Sequence, residues 1–252
     1  MDLSNKYGTL EVQRQLLLLL KQFHDFCLSN DIKYSLDWGS LLGAIRHKGF
    51  IPWDDDLDIM VDRRNCEKIR KAIRQSSLFT IEREKRALWI EKVRMLNSVN
   101  IGNYPPTLDI FIIDNAPDSI LSRKIRLFLL LFMQGMMKQH PNFHKGNIGY
   151  RLATICTYLI GRMIPASIKI KWSDQLMQKT NNKKTKKKAS YNTAFEDLGK
   201  LYDNDVLTDV MLAPFEDTEV YVTKSFHQCL IDKFGPDYMI PPSDDKRVPI
   251  HI

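Results

Sequence analysis

Apolar positions near the start of the chain recur at helical spacing. Leu10, Val12, Leu16, Leu19, Leu20, Phe23 and Phe26 approximate one helix face, with Lys21, Gln22 and Asp25 between them. This predicts an amphipathic helix from residue 9 to about residue 30. The pattern then switches to alternation in "IKYSLDWGS", a short strand ending at Gly39-Ser40. "SLLGAIRHK" returns to helical character with Ser40 placed as its N-cap, and Gly49 and Pro52 in "GFIPW" end it. "DLDIMVD" reads as a strand, "NCEKIRKAIRQS" as a helix and "LWIEKVRML" as a strand. A turn-like "GNYPP" precedes the last apolar strand of this half, "TLDIFIID" over residues 107–114. The order helix, strand, helix, strand, helix, strand, strand implies a mixed α/β or α+β core.

The pattern changes after residue 115. "ILSRKIRLFLLLFMQGMMKQH" and "IGYRLATICTYLIGRMIP" are apolar helical candidates with basic residues around them. Two readings stand for residues 116–190: a buried helical hairpin covering the sheet, which is the plainer, or an interfacial segment lying on the inner membrane face. "KTNNKKTKKKAS" has almost no apolar content and reads as a solvated loop. Beyond it, "YNTAFEDLGKLYDNDVL" and "PFEDTEVYVTKSFHQCLIDKFGPDY" read as strands and a final helix, before the Pro-rich "MIPPSDDKRVPIHI". The expected organisation is a catalytic core over 1–115, a helical insertion with a lysine-rich loop over 116–190, and a C-terminal part over 191–252 that completes the core.

Composition narrows the class. At 252 residues with 44% hydrophobic and 27% charged content, the chain can bury a sizeable core. A net charge of +7 favours anionic partners such as nucleotides, phosphate-bearing polymers or an anionic membrane face. Nucleic acid is not expected, since "KKTKKK" has no interleaved aromatics and belongs to no nucleic-acid module. The cysteines Cys27, Cys66, Cys156 and Cys229 are dispersed, which suits reduced thiols and a cytoplasmic setting. The N-terminal sequence does not read as a secretory signal, and no run of apolar residues is long enough to span a bilayer.

The candidate chemistry lies in "GSLLGAIRHKGFIPWDDDLDIMV", residues 39–61, where Asp54, Asp55, Asp56 and Asp58 occupy four of five positions. If "DLDIMVD" is a strand, Asp56 and Asp58 share a face, and Leu57, Ile59 and Val61 take the other. Two carboxylates in an apolar sheet repel unless a cation joins them, and hard oxygen ligands suit magnesium or manganese. Gly39-Ser40 at the mouth of a helix offers free N–H groups to a phosphate. Asp109 places a third acid inside an apolar strand, where an unpaired charge is costly. Three carboxylates of this kind suit metal-assisted phosphoryl-type transfer.

The stretch "LDWGSLLGAIRHKGFIPWDDDLDIMV" resembles the signature of the LicD family, which includes the fukutin-related proteins. "KVRMLNS", "PFEDTEVYV", "LIDKFGPDYMIPP" and "KRVPIHI" are similar to further family blocks, so the resemblance covers most of the chain outside 116–190. The chain departs from the family in lacking a proline shortly after the "FE" element and in reading "KFGPDY" where a Tyr-Gly-Asp-like form is usual. The resemblance implies an α+β fold, a nucleotidyltransferase-like mixed sheet with flanking helices and a helical insertion. It implies transfer of a phospho-alcohol, phosphocholine first and ribitol- or glycerol-phosphate as alternatives. The donor would be CDP-activated, and the acceptor a hydroxyl of a cell-surface glycan or teichoic or lipopolysaccharide precursor, lipid-linked in some cases. Nucleotidyl transfer to a small molecule or protein is the rival reading of the same metal site.

Residue roles follow from that chemistry and the resemblance together. Asp56, Asp58 and Asp109 are the expected catalytic and metal-binding residues for Mg2+ or Mn2+, with Asp109 either a ligand or the base. Gly39, Ser40, Arg46, His47, Lys48, Lys92 and Arg94 are the expected donor-phosphate and nucleotide contacts, and Asp54 and Asp55 support them. Trp38 and Trp53 either stack a base or pack the core, and Arg247 and His251 are candidates to close over the site.

Overall fold

The computed structural model describes residues 6–83, 90–102, 104–194 and 196–250; His251 and the first residues of the expected "LWIEKVRML" strand lie outside them. The fold is a mixed α+β one, in two compact units. The first takes residues 1–82, 91–111 and 205–252, and the second residues 83–90 and 112–204.

The first unit opens with α1 (Leu10–Ser29), whose stripe Val12, Leu16, Leu19, Leu20, Phe23 and Cys27 is buried as its spacing requires. Each fully buried Leu or Phe of this kind contributes about 1.5–3 kcal/mol. The same helix sends polar side chains toward the aspartate segment. Thr9 Oγ1 donates to Pro52 O at 2.7 Å, and Gln13 Nε2 donates to Ile51 O at 3.0 Å and Asp54 O at 2.8 Å. The backbone of residues 51–54 is thereby fixed from a rigid element.

Next come β1 (Ser35–Leu36), α2 (Trp38–Arg46), β2 (Asp58–Asp62), α3 (Arg63–Ile73), β3 (Phe79–Arg83), β4 (Glu91–Met95) and β5 (Leu108–Asn115). The strands stand in the order β1-β2-β5-β4-β3. β1 pairs antiparallel with β2, Leu36 opposite Ile59, and β4 pairs antiparallel with β5, Lys92 opposite Asp109. The hairpin of β8 (Val210–Phe215) and β9 (Thr218–Thr223) and the helix α7 (Phe226–Phe234) complete this unit. At the hairpin turn, Glu216 takes φ 53°. Its N–H donates to Lys48 O at 2.7 Å, and its Oε1 accepts from Phe50 N at 2.9 Å. A Cβ on Gly49 would strike that carboxylate, so the "KGF" turn needs its glycine.

The second unit contains β5 from Ile112 onward, α4 (Ile120–Met137), α5 (Ile148–Met163), α6 (Ala166–Met177), β6 (Lys187–Ser190) and β7 (Leu201–Asp203). Ile113 lies opposite Ser190 and Lys188 opposite Tyr202. Its core gathers Ala116, Leu130, Met137, Met177, Ala189, Tyr191 and Leu198. The buried Arg126 donates to Asn115 O, Met177 O and Thr180 Oγ1, tying α4 to the ends of β5 and α6.

Two expectations need correction here. The lysine run is not loop throughout: its end is β6, whose last two residues are buried. The helical segment is not simply a buried hairpin. It forms three helices, and many of their large apolar residues are exposed. Among the described residues, no helix is long and apolar enough to cross a membrane.

Candidate active site

The site is built where β1 gives way to α2. The helix begins at Trp38 with Asp37 as N-cap residue, so Ser40 is not the cap but a residue of the first turn. Both backbone groups of Asp58 engage this turn. Asp37 N–H donates to Asp58 O at 2.9 Å, and Asp58 N–H donates to Ser40 Oγ at 2.9 Å. Ser40 is 1% exposed, and its hydroxyl holds Asp58 in place. β2 starts at Asp58, two residues later than the pattern suggests, so Asp56 precedes the strand and is not paired with Asp58 by strand alternation.

The carboxylates nevertheless converge. Asp58 is buried, and desolvation together with the charges of Asp56, Asp109, Asp54 and Asp37 pushes its pKa well up. Asp54 is raised in the same way, by burial first and then by Asp56 and Asp55, with a hydrogen bond linking its side chain to Asp56. Its Oδ2 is buried without a hydrogen-bond partner among the described residues. Asp54 therefore belongs inside the carboxylate group, where the sequence reading had it beside the site. Gly39 explains the fit: a Cβ there would come within 2.6 Å of Asp54 Oδ2. Asp55 is also buried, and its Oδ1 accepts from Ile250 N at 3.2 Å, drawing in the C-terminal segment.

Asp109 enters from β5, where its N–H donates to Leu57 O at 2.8 Å and seats β5 beside the aspartate segment. Lys92, opposite it on β4, places Nζ 2.5 Å from Asp109 Oδ2. Thr107 Oγ1 stands 3.4 Å from Oδ1. Lys92 is thus engaged with a site carboxylate. Arg94 is partly buried, and its nearest described partner is Ser98 Oγ at 3.4 Å.

The basic trio separates by environment. Arg46 donates to Tyr238 O at 2.8 Å, and burial plus the nearby Arg247 lower its pKa, while Asp54 opposes that. His47 is pushed down to about 4 by burial and by Arg46, so it is neutral near pH 7 and is not the cation expected of it. Lys48 is exposed, with φ 60°. Arg247 lies over the Trp53 ring, 5.3 Å from its centroid.

Sequence reasoning missed three participants, Lys233, Asp37 and Tyr104. Lys233 forms an ion pair with Asp37, both side chains fully buried, and lies over the Trp38 ring 4.4 Å from its centroid. Trp38 itself packs edgewise near Phe234 and at a tilt near Phe111, which places it among packed aromatics. At φ 44° it takes a left-handed conformation, strained for a residue with a Cβ by about 1–3 kcal/mol and held by these contacts. Tyr104, read only as part of a turn, is the third. Its phenol pKa is raised by burial and by Asp56, Asp109 and Asp55, so it lies within the field of the carboxylates. Its "GNYPP" context carries turn signals and none for a site residue.

A divalent cation fits this donor set chemically. The donors are hard oxygens, burial and the neighbouring carboxylates raise the pKa of Asp58, and a buried Asp54 oxygen has no hydrogen-bond partner among the described residues. As the side chains stand, no group of three or more His, Cys, Asp or Glu among the described residues is drawn in closely enough to hold a metal.

Comparison with known proteins agrees with this region. The family description "LicD/FKTN/FKRP, nucleotidyltransferase domain" matches residues 31–115, which include Asp37, Asp54, Asp55, Asp56, Asp58 and Asp109. Lipopolysaccharide cholinephosphotransferase LicD of Haemophilus influenzae is 50% identical over 58 residues, 23% of this chain and 22% of that protein. Ribitol 5-phosphate transferase FKRP of Homo sapiens is 50% identical over 44 residues, 16% of this chain and 9% of that protein. Uncharacterized protein RP689 of Rickettsia prowazekii is 56% identical over 41 residues, 16% of this chain and 15% of that protein. The matched stretches thus span less than a quarter of these relatives. Residues 31–115 are thus similar to the nucleotidyltransferase domain of the LicD/FKTN/FKRP proteins.

Proposed function

We propose that this protein is a metal-dependent transferase that moves a phospho-alcohol from a CDP-activated donor to a hydroxyl of a glycan. The observation that carries the proposal is the crowding of Asp54, Asp56, Asp58 and Asp109, where burial and mutual repulsion leave Asp58 and Asp54 short of positive charge. Asp56 and Asp58 would hold Mg2+ or Mn2+, with Asp109 as a further ligand or as the base. The cation supplies charge neutralisation on the donor pyrophosphate. The chain's own groups do the rest. Arg46 is a guanidinium suited to a phosphate, and Lys92 holds Asp109 at a fixed position. In the transfer, the acceptor oxygen bonds to the phosphorus bearing the alcohol, the bond to the CMP phosphate breaks, and the hydroxyl proton passes to a carboxylate.

Phosphocholine is the group we favour, by similarity to the Haemophilus influenzae protein; ribitol- and glycerol-phosphate are the alternatives, the former by similarity to the ribitol 5-phosphate transferase. We place the reaction in the cytoplasm. Incubation with CDP-choline, CDP-ribitol or CDP-glycerol, Mg2+ and glycan acceptors tests the reading. CMP release with the alcohol phosphate on the acceptor supports it. Nucleotide retained on the acceptor, or turnover unchanged in Asp56→Asn and Asp58→Asn, overturns it.

A further inference from the structure

One helix of the second unit, α5, is amphipathic in the reverse of the usual sense. α5 buries Thr154, Thr157 and Gly161, while Ile148, Leu152, Ile155, Leu159 and Met163 form an exposed stripe, Ile148 at 75% and Met163 at 85%. The inner face is small because α4 lies close against it. A Cβ on Gly161 would strike the backbone of Met136, and one on Gly135 would come within 2.8 Å of Thr157 Oγ1. α6 repeats the arrangement in part, burying Lys169 and Ser173 beside Met177 and exposing Ile168 and Trp172. Lys169 Nζ donates to Met136 O at 3.0 Å and Gly161 O at 2.8 Å, so the carbonyls near the ends of α4 and α5 are satisfied from within. α4 adds an outer stripe of Leu121, Ile125, Phe128 and Leu129.

A helix facing water buries its large apolar side chains and exposes the polar ones. Small residues inside and large apolar residues outside suit a helix whose outer face meets an apolar medium. Charge identifies that medium. Residues 116–190 carry fifteen Lys and Arg against two Asp and no Glu, a net +13 where the whole chain is +7. A second copy of this segment would set one strongly basic segment against another, whereas anionic lipid headgroups complement it. A cleft of about 500 Å³ joins the two properties, with Ile125, Leu129 and Leu176 on its walls beside Lys179, Lys183 and Lys184. The helices are 18, 16 and 12 residues long, and none of them qualifies as a span, so they would lie in the interfacial plane.

We propose that α4, α5 and α6 form a docking face for the surface of a bilayer containing anionic phospholipid. The proposal rests on none of the carboxylate chemistry, and its failure leaves the transferase reading intact. The purified full chain is floated with vesicles of phosphatidylcholine alone or mixed with phosphatidylglycerol. The chain should float with the mixed vesicles, less so at high salt, and far less with the neutral ones. Leu152→Asp/Leu159→Asp, both at exposed positions, should lower vesicle partition at least about tenfold with the circular dichroism spectrum unchanged. A second readout needs no charged substitution. Acyl-brominated lipid should quench tryptophan emission of the wild type, and Trp172→Phe should lose the quenchable fraction. The proposal is overturned by a chain that stays at the bottom of the gradient, by equal flotation of the folded double variant, by quenching that is absent or indifferent to Trp172, or by a dimer that the two substitutions dissociate without any vesicle binding.

Discussion

Lys233→Met isolates one contact on which the site depends. The Lys233 ammonium and the Asp37 carboxylate are both fully buried and lie 196 positions apart in the sequence, so their pairing joins α7 to the turn that carries Trp38, Gly39 and Ser40. Methionine keeps the length of the stem and removes the charge. Asp37 would then be buried without its partner, and its Oδ2 already lacks a hydrogen bond among the described residues. Breaking a buried pair on one side costs about 3–5 kcal/mol, because the remaining charge cannot return to water. For a chain of this size, each kcal/mol lowers Tm by roughly 2–4 °C, so a fall of roughly 6–20 °C is expected. The loss also removes the cation from the Trp38 face, on a residue already in a left-handed conformation. Urea denaturation monitored by tryptophan fluorescence measures the effect. Asp37→Asn should cost less, and the double variant Asp37→Asn/Lys233→Met should recover part of the Lys233→Met loss, giving a coupling of at least about 1 kcal/mol. Lys233→Met within about 0.5 kcal/mol of wild type, or strictly additive single changes, would refute the reasoning.

Gly39→Ala should leave the secondary structure intact while destabilising by about 1–3 kcal/mol and abolishing turnover, since its Cβ would press on Asp54 Oδ2; circular dichroism and CMP release check this. Asp58→Asn should raise metal-free stability by about 0.5–2 kcal/mol and eliminate turnover, because it removes a repelled charge that only a cation would satisfy. In the same variant, Mg2+ at a hundred times its Kd should no longer give the roughly 2.7 kcal/mol of stabilisation expected for wild type, as read by thermal melts with and without chelator. His24, hydrogen-bonded to Tyr34 in the core, has its pKa lowered by burial, so the folded state binds fewer protons than the unfolded one. Its contribution is complete above the ordinary histidine value of 6.5 and is lost as pH falls below that toward the folded-state value; urea midpoints from pH 8 to 5 should fall, and less steeply in His24→Gln.

Legibility in the sequence followed the range of the forces involved. α1, α3 and β5 are specified by local periodicity, and the structure places them within a few residues of their patterns. β6 was hidden because "KKAS" has no strand pattern of its own, and pairing with β5 and β7 supplies its hydrogen bonds. β3 was missed for a related reason: one of its five residues is buried, so alternation barely registers. Within the site, the carboxylates of residues 54–58 and Asp109 were visible as chemistry, but their grouping was not. Asp54 joins Asp56 and Asp58 because α1 fixes the backbone before it through Gln13, a contact spanning 41 residues. Lys233 and Tyr104 gave no local signal, since each acquires its role only from what the fold brings beside it.

The basic excess of the chain also changes meaning once position is counted. Read from the total, +7 favoured anionic partners such as nucleotides, phosphate-bearing polymers or an anionic membrane face. Residues 116–190 alone account for +13, which leaves the remaining sequence at −6. The carboxylate site therefore sits in the acidic part of the chain. Of the cations nearest it, Lys92 is engaged with Asp109 and Lys233 with Asp37, His47 is neutral, and Arg46 bonds to a backbone carbonyl. Burial and four neighbouring carboxylates push Asp58 toward protonation. A site arranged this way either keeps protons on its acids or takes positive charge from solution, and at neutral pH a divalent cation relieves several carboxylates at once. The same separation gives residues 116–190 fifteen Lys and Arg against two Asp, a surplus that the proposed surface of anionic headgroups would complement.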